Sequence, residues 1–335
     1  MCGISGTIFN YDFSPGIEVR IKDIEQILSK VRYENLPVDR LLDIAWKYKS
    51  NINFIRYFRN ECEKDKLSKL TKKINKYSEQ LLEKLKKIDK TKNPQIFIKG
   101  YSDYEKLLDV HWFLKNENEN LLNGALSLST SKDLSNRSLI FYKKIQTILS
   151  SMDNRLEIRV PDSLGLTIQI KLIPNHGLKS NNSYSNEDNS EIVCVDLEKS
   201  EDVISFTFKT SNRVGSLGDN CKIIRNKIVN CNLLQELISQ NKINYASIVS
   251  HTRWASVGDV NNSNCHPVSN NFVNFNQPHS LIFSSLNGDI HNYKELMKKS
   301  EIDVSQIDPN CTNDCLAVSL HFSNRNLSKI STQVD

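Results

Sequence analysis

The sequence predicts an α+β protein whose sheet-forming segments are separated by a long helical insertion. Three observations carry this. Residues 2–10, Cys-Gly-Ile-Ser-Gly-Thr-Ile-Phe-Asn, are short, β-branched and punctuated by glycine, as in a buried strand. From Val19 to about Asn118 apolar residues recur at helical spacing. After Met152 strand-like runs return and alternate with helical ones. The expected organisation is a first strand within 1–18, a mostly helical insertion over 19–150, and the remainder of the α+β domain over 151–335.

Length and composition narrow the classes. The 335 residues, 39% hydrophobic and 25% charged, suffice for two domains or for one domain with a large insertion. The 44 basic and 39 acidic residues are interspersed and leave a net charge of +5, which argues against a nucleic-acid partner and against a polybasic membrane surface. No apolar run reaches the roughly 18 residues of a membrane span, and the N-terminus lacks a secretory signal pattern, so a cytoplasmic location is expected. Eight cysteines are spread without a CxxC pair, as reduced thiols would be. Cys311 and Cys315 stand at i, i+4 and would share one helix face, but no second pair accompanies them; core packing is favoured over zinc and no metal or cofactor is assigned.

In chain order, Val19, Ile21, Ile24, Ile27, Leu28 and Val31 form one helical stripe, Pro37 opens a second helix through about Tyr48, and residues 52–58 make a third. Leu67, Leu70, Ile74, Tyr77, Leu81, Leu85 and Ile88 fall close to a heptad seam, read as a packed helical hairpin in preference to a partner-binding coiled coil. His111 and Trp112 lie in a further helical run, 104–114. Strands are expected over 166–170, 191–197, 203–209 and 280–286 and within 245–258, with helices over 223–238 and 294–299. The Asn- and Ser-rich stretch 174–191 reads as a surface loop.

The chemistry gathers at the two ends of the chain. Cys2 becomes N-terminal once Met1 is removed, and then carries a thiol and a free α-amine on one residue. An amine of pKa about 7.7–8.0 is partly neutral near pH 7 and serves as base to a thiol of pKa about 8.5. Cys2 could equally be a small residue opening a strand. Far downstream, Ser-His-Thr-Arg-Trp-Ala-Ser-Val-Gly (250–258) ends a strand in a polar and aromatic cluster; Asn264-Cys265-His266-Pro267 and Leu286-Asn287-Gly288-Asp289-Ile290-His291-Asn292-Tyr293 follow.

These blocks, MCGI, SHTRWASVG, NCHPV and LNGDIHNY in that order, resemble the class II glutamine amidotransferases, whose fold is that of the N-terminal-nucleophile hydrolases. Within the class they are most similar to the glutaminase domain of the glutamine–fructose-6-phosphate aminotransferase (glucosamine-6-phosphate synthase) family, with its blocks HTRWA, NAHP and NG. LEIRVPDSLGL at 156–166 resembles that family's LEYRGYDSAGI. The matching segments cover well under half of the chain. The resemblance implies an αββα glutaminase sandwich that hydrolyses glutamine to glutamate and ammonia, with the ammonia used to aminate fructose 6-phosphate.

By the same resemblance Cys2 would be the nucleophile and Asn287 and Gly288 the oxyanion hole, although Asn-Gly is also a strong turn dipeptide. Arg253 would clamp the substrate carboxylate, with a buried ion pair as its structural alternative. Trp254 and Ser256 would line the pocket, Trp254 with plain core as alternative, and His266 would order it. Arg159 and Asp162 would support the nucleophile loop. The family aspartate that holds the substrate ammonium corresponds to Asp314, within Thr312-Asn313-Asp314; a slip of one residue would leave Asn313. The family's glutaminase domain continues past this block and two sugar-isomerase domains follow, so the expectation is a C-terminally incomplete sandwich, with glutamine as ligand and a complementary isomerase chain or a second copy as partner. The rival expectation is a catalytically silent or regulatory protein acting through its helical insertion, or a glutamine sensor.

Overall fold

The structure, a computed structural model, describes residues 3–10, 16–30, 36–153, 162–174, 184–186, 190–197, 201–211, 219–270, 282–300 and 307–323. It is mixed α+β with an antiparallel sheet, and its chain divides into two compact units, residues 13–127 and residues 1–12 with 128–335.

The unit of residues 13–127 is helical: α1 (Ile21–Lys30), α2 (Val38–Tyr48), α3 (Asn51–Arg59), α4 (Glu61–Lys86), α5 (Pro94–Lys115) and α6 (Leu121–Leu126), with one π-helical turn, Asn116–Asn120, between the last two. Asn60 starts α4 by accepting the Glu63 N–H at 3.2 Å, and Pro94 opens α5, where a missing N–H costs nothing. The heptad-like seam is the buried face of α4, Leu67, Leu70, Ile74 and Leu85, and α4 packs along α5 as the helical hairpin anticipated. Asn53 pins the entering chain, accepting from Val19 N–H at 3.1 Å and donating to Ile17 O at 3.0 Å. Arg56 joins it to α4 through Glu63 at 2.9 Å, a carboxylate that also accepts from Tyr48 Oη at 2.9 Å.

The other unit is built on a six-stranded sheet in the order β1-β6-β2-β5-β4-β3, with every pairing antiparallel. The strands are β1 (Gly3–Asn10), β2 (Ser163–Leu172), β3 (Tyr184–Asn186), β4 (Ser190–Leu197), β5 (Glu201–Thr210) and β6 (Ile243–Arg253). Period-two alternation sends Leu164, Leu166, Ile168, Ile170, Phe206 and Phe208 to one face, all buried. Each such side chain contributes about 1.5–3 kcal/mol. That face is covered by α7 (Asn136–Ser151), on β1 and β6, and by α8 (Asp219–Asn230), on β2 and β5; α9 (Asn232–Ser239) packs on both helices. Ser135 caps α7 by accepting the Ser138 N–H at 3.0 Å, and Phe9 of β1 meets Phe141 edge to face at 5.5 Å. α7 therefore belongs to the sheet unit, although it falls within the 19–150 stretch read as insertion.

Toward the chain end, β7 (Val268–Ser269) and β8 (Phe283–Ser284) form a two-stranded ladder backed by α11 (Leu316–Ser323), with α10 (Tyr293–Lys299) against α11. Val268, Ile307, Cys311, Cys315, Leu316 and Leu320 make a second small core there. At Gly165 the backbone of His266 crosses β2 so closely that an added Cβ would stand 2.1 Å from the His266 carbonyl oxygen.

Several expectations need correction. β1 is not a buried strand: among the described strands it pairs with β6 alone, and Ile4 and Ile8 are 49% and 68% exposed. Residues 184–186 form β3, so the polar stretch is not wholly loop; polar side chains suit a strand at the sheet's edge. The helix expected over 223–238 breaks at Cys231 into α8 and α9. Cys311 and Cys315 do not share a helix, because α11 begins at Leu316; both thiols pack in the second core, where burial raises them to about 11 and about 12.

Candidate active site

The site lies where β6 ends. Arg253, the last residue of that strand and 4% exposed, opposes Ser163 of β2. Its guanidinium is ringed by backbone carbonyls: Nη1 donates to Asp259 O at 3.2 Å, and Nη2 to Val257 O and to Gly258 O at 3.5 Å. The chain after the strand is thus curled around the cation. Gly258 permits the curl with φ 81°; a Cβ there would stand 2.7 Å from Thr312 Oγ1. Asp162 fixes the loop from the other side, Oδ2 accepting from Ala255 N–H at 3.2 Å.

Asn264, fully buried, ties this loop to the segment before α11. Its Nδ2 donates to Asp259 O at 3.0 Å and Thr312 Oγ1 at 3.1 Å, and its Oδ1 accepts from Thr312 N–H at 2.7 Å and Asn313 N–H at 3.0 Å. Asn313 returns a bond to Asn264 O at 3.0 Å and accepts from Leu316 N–H at 3.2 Å at the start of α11. Asn313 is thereby committed to the scaffold, and its neighbour Asp314 faces the cavity.

A third segment, Leu286 to Ile290, closes the site. Asp314 Oδ2 accepts from Ile290 N–H at 2.5 Å, His266 Nδ1 accepts from Leu286 N–H at 3.4 Å, and Ser256 Oγ donates to Asp289 Oδ1 at 2.5 Å. Gly288 has φ 151° with nothing within 4 Å of a Cβ position, so backbone conformation and not space calls for glycine. Between the three segments is a cavity of about 280 Å³, lined by Arg253, Trp254, Ser256, Val257, His266, Leu286, Asn287, Gly288, Asp289 and Asp314. That is the small end of ligand pockets, commonly about 300–1,000 Å³. One guanidinium and two carboxylates on a small polar wall suit a zwitterion such as an α-amino acid. Arg253 has five N–H donors, more than its three carbonyl contacts use.

Beneath the cavity lie two imidazoles. His251, fully buried, stacks obliquely on His266 with ring centroids 4.7 Å apart, and neither of its ring nitrogens has a hydrogen-bond partner among the described residues. Burial holds both rings well below the usual imidazole range, and Arg253 pushes the same way. Both are neutral at pH 7, and neither carries a positive charge into the pocket.

Of the residues singled out in the sequence, Arg253, Trp254, Ser256, His266, Asn287, Gly288 and Asp314 are brought together around this cavity. Asp162 holds the loop behind them. Cys2 and Arg159 lie outside the described residues; Gly3, which follows Cys2, pairs with Thr252, which precedes Arg253. His251, Asn264 and Asp289 were missed. The first two stand inside the very motifs quoted, HTRWA and NCHP, and Asp289 directly follows Asn-Gly, but only tertiary contacts give them roles. Among the described residues no group of three or more His, Cys, Asp or Glu could hold a metal ion, and no helix is long and apolar enough to cross a membrane. Compared with models of known families, with curated proteins and with solved structures, the chain matches none.

Proposed function

We propose that the chain is a glutaminase of the class II glutamine amidotransferase type. The observation that carries this is the convergence, at the end of β6, of a guanidinium, an Asn-Gly pair and a carboxylate around one small cavity, beside the strand that Cys2 precedes. The order of layers in the sheet unit, helices α7–α9, the six-stranded sheet, the β7/β8 ladder and α11, is compatible with the αββα sandwich of N-terminal-nucleophile hydrolases.

In this reading the Cys2 thiol attacks the side-chain amide carbon of glutamine while its own α-amine takes the proton. The oxyanion is met by the Asn287 side-chain amide and the Gly288 N–H. Ammonia leaves with the proton returned by the amine, and water then cleaves the thioester to give glutamate. Arg253 holds the substrate carboxylate and Asp314 its ammonium. The ammonia would aminate fructose 6-phosphate where an isomerase half is supplied.

Glutamate release from glutamine tests the assignment. Asn287→Ala should lower kcat by about 100- to 1,000-fold with KM little changed, since the oxyanion exists only along the reaction path. Asp314→Asn should instead raise KM. An Asn287→Ala enzyme with unaltered kcat would remove the oxyanion role.

A further inference from the structure

The far end of the α4–α5 hairpin combines a lysine cluster with exposed apolar side chains. Residues 84–101 hold six lysines, Lys84, Lys86, Lys87, Lys90, Lys92 and Lys99, against a single aspartate, so this tip alone carries a charge equal to the +5 of the whole protein. All six are exposed. The one carboxylate, Asp89, is taken up by its own turn: it accepts from Thr91 N–H at 3.0 Å and Thr91 Oγ1 at 2.6 Å, and Lys92 Nζ lies 3.8 Å away. The first turn of α5 adds no acidic residue, so the positive end of its helix dipole is left uncompensated.

The same tip is apolar. Ile96 and Ile98 are 62% and 66% exposed and Tyr101 is 44% exposed. Phe97 stacks on Tyr101 at 6.0 Å, with Lys90 Nζ 4.6 Å from the Phe97 ring centroid. Ile96, Phe97 and Ile98 are consecutive, so on a helix they point in three directions and form a collar around the first turn instead of a stripe toward a core. Single exposed apolar residues need no explanation, but a collar of them ringed by lysines does.

We propose that this hairpin tip docks on an anionic lipid bilayer, with the isoleucine collar entering the boundary between headgroups and acyl chains and the lysines lying among the headgroups. Long lysine stems run along apolar surface while their ammonium groups reach the phosphates. Every basic residue of the tip is lysine. Nucleic-acid surfaces favour the planar, bidentate guanidinium of arginine. The near balance of charge over the whole chain pointed away from a polybasic surface, yet residues 84–101 hold a local excess of positive charge at the hairpin tip. The surface lies in the helical unit and is independent of the proposed glutaminase chemistry.

The test uses the full-length protein, sedimented with vesicles of phosphatidylcholine alone or mixed with phosphatidylserine at about 7:3, a composition that supplies a negative surface potential. Binding should be at least about tenfold tighter to the mixed vesicles and should weaken as salt is raised, since lysines near such a surface act through a screened field. Ile96→Ser with Ile98→Ser should lower the partition by about tenfold or more, because apolar burial supplies the other part of interfacial affinity. Both positions are exposed, so the circular dichroism of that variant should match wild type. Lys86→Glu with Lys87→Glu should abolish the preference for phosphatidylserine. Equal or absent binding to the two vesicle types would overturn the proposal. So would an isoleucine double variant that binds as wild type does, which would mark a purely electrostatic polyanion site.

Discussion

Arg253 lines the cavity and at the same time holds its own loop, its guanidinium donating to the carbonyls of residues 257–259. Among the described residues its acceptors are backbone carbonyls and not the carboxylate of an ion pair, an arrangement that residue types alone do not encode. Seven of the ten cavity-lining residues were legible because their motifs are local. Asn264 was not, because its four side-chain bonds run to residues up to 49 positions away. Gly165 shows the same limit. Its role is to let the His266 carbonyl pass, and Gly165→Ala should lower stability by about 3 kcal/mol or prevent folding, since the obstacle is backbone and cannot rotate away. A urea midpoint within error of wild type would contradict that contact.

The buried histidines make a prediction about pH at the same scale. Their folded pKa values lie below the unfolded value of about 6.5, so below that pH the unfolded chain binds more protons than the folded one. Stability is therefore full above pH 6.5 and declines as pH falls below it, by at most about 1.4 kcal/mol per pH unit for each ring. Urea unfolding at a series of pH values from 7.5 to about 5, above the carboxylate range, checks this. His251→Gln should flatten the slope, and a wild-type profile already flat would contradict the buried neutral pair.

At the scale of elements, periodicity located most helices and the long strands, and failed where burial comes from a partner. α7 is the clearest case. Leu139, Ile140, Phe141, Tyr142, Ile145, Ile148 and Leu149 are all buried, so it has little polar face to distinguish it from the helices before it, and only its docking on β1 and β6 shows which unit it serves. It is tied to α9 by Gln235, whose Oε1 accepts from Tyr142 Oη at 2.6 Å and Thr130 N–H at 3.3 Å, and whose Nε2 donates to Leu128 O at 2.9 Å and Ile228 O at 3.0 Å. Gln235→Met keeps the volume and removes these bonds, orphaning buried groups at about 1–3 kcal/mol each. We expect a net loss of about 3 kcal/mol by urea denaturation. A loss under about 0.5 kcal/mol would mean that packing alone joins these helices.

At the scale of the molecule, a helical body of residues 13–127 is inserted between β1 and the rest of the sheet unit, so the strand that Cys2 precedes is separated in sequence from every other residue of the proposed site. The change of hydrophobic period near residues 19 and 152 marked out a helical stretch, but the helical unit ends at residue 127 and α7 goes with the sheet. The edge position of β1 was not readable, because strand order is set by pairing between residues 3–10 and 245–252, far apart in sequence. The central claim is that Cys2 meets the cavity lined by Arg253, Asn287 and Asp314. Its most direct test is the intact mass of the purified chain before and after incubation with a diazoketone analogue of glutamine, whose diazo carbon is protonated and then loses dinitrogen as a thiolate bonds to it. Loss of Met1 and a single adduct, absent from Cys2→Ala and suppressed by excess glutamine, is the predicted result. Met1 removed with no adduct would contradict it, leaving a pocket without a working nucleophile.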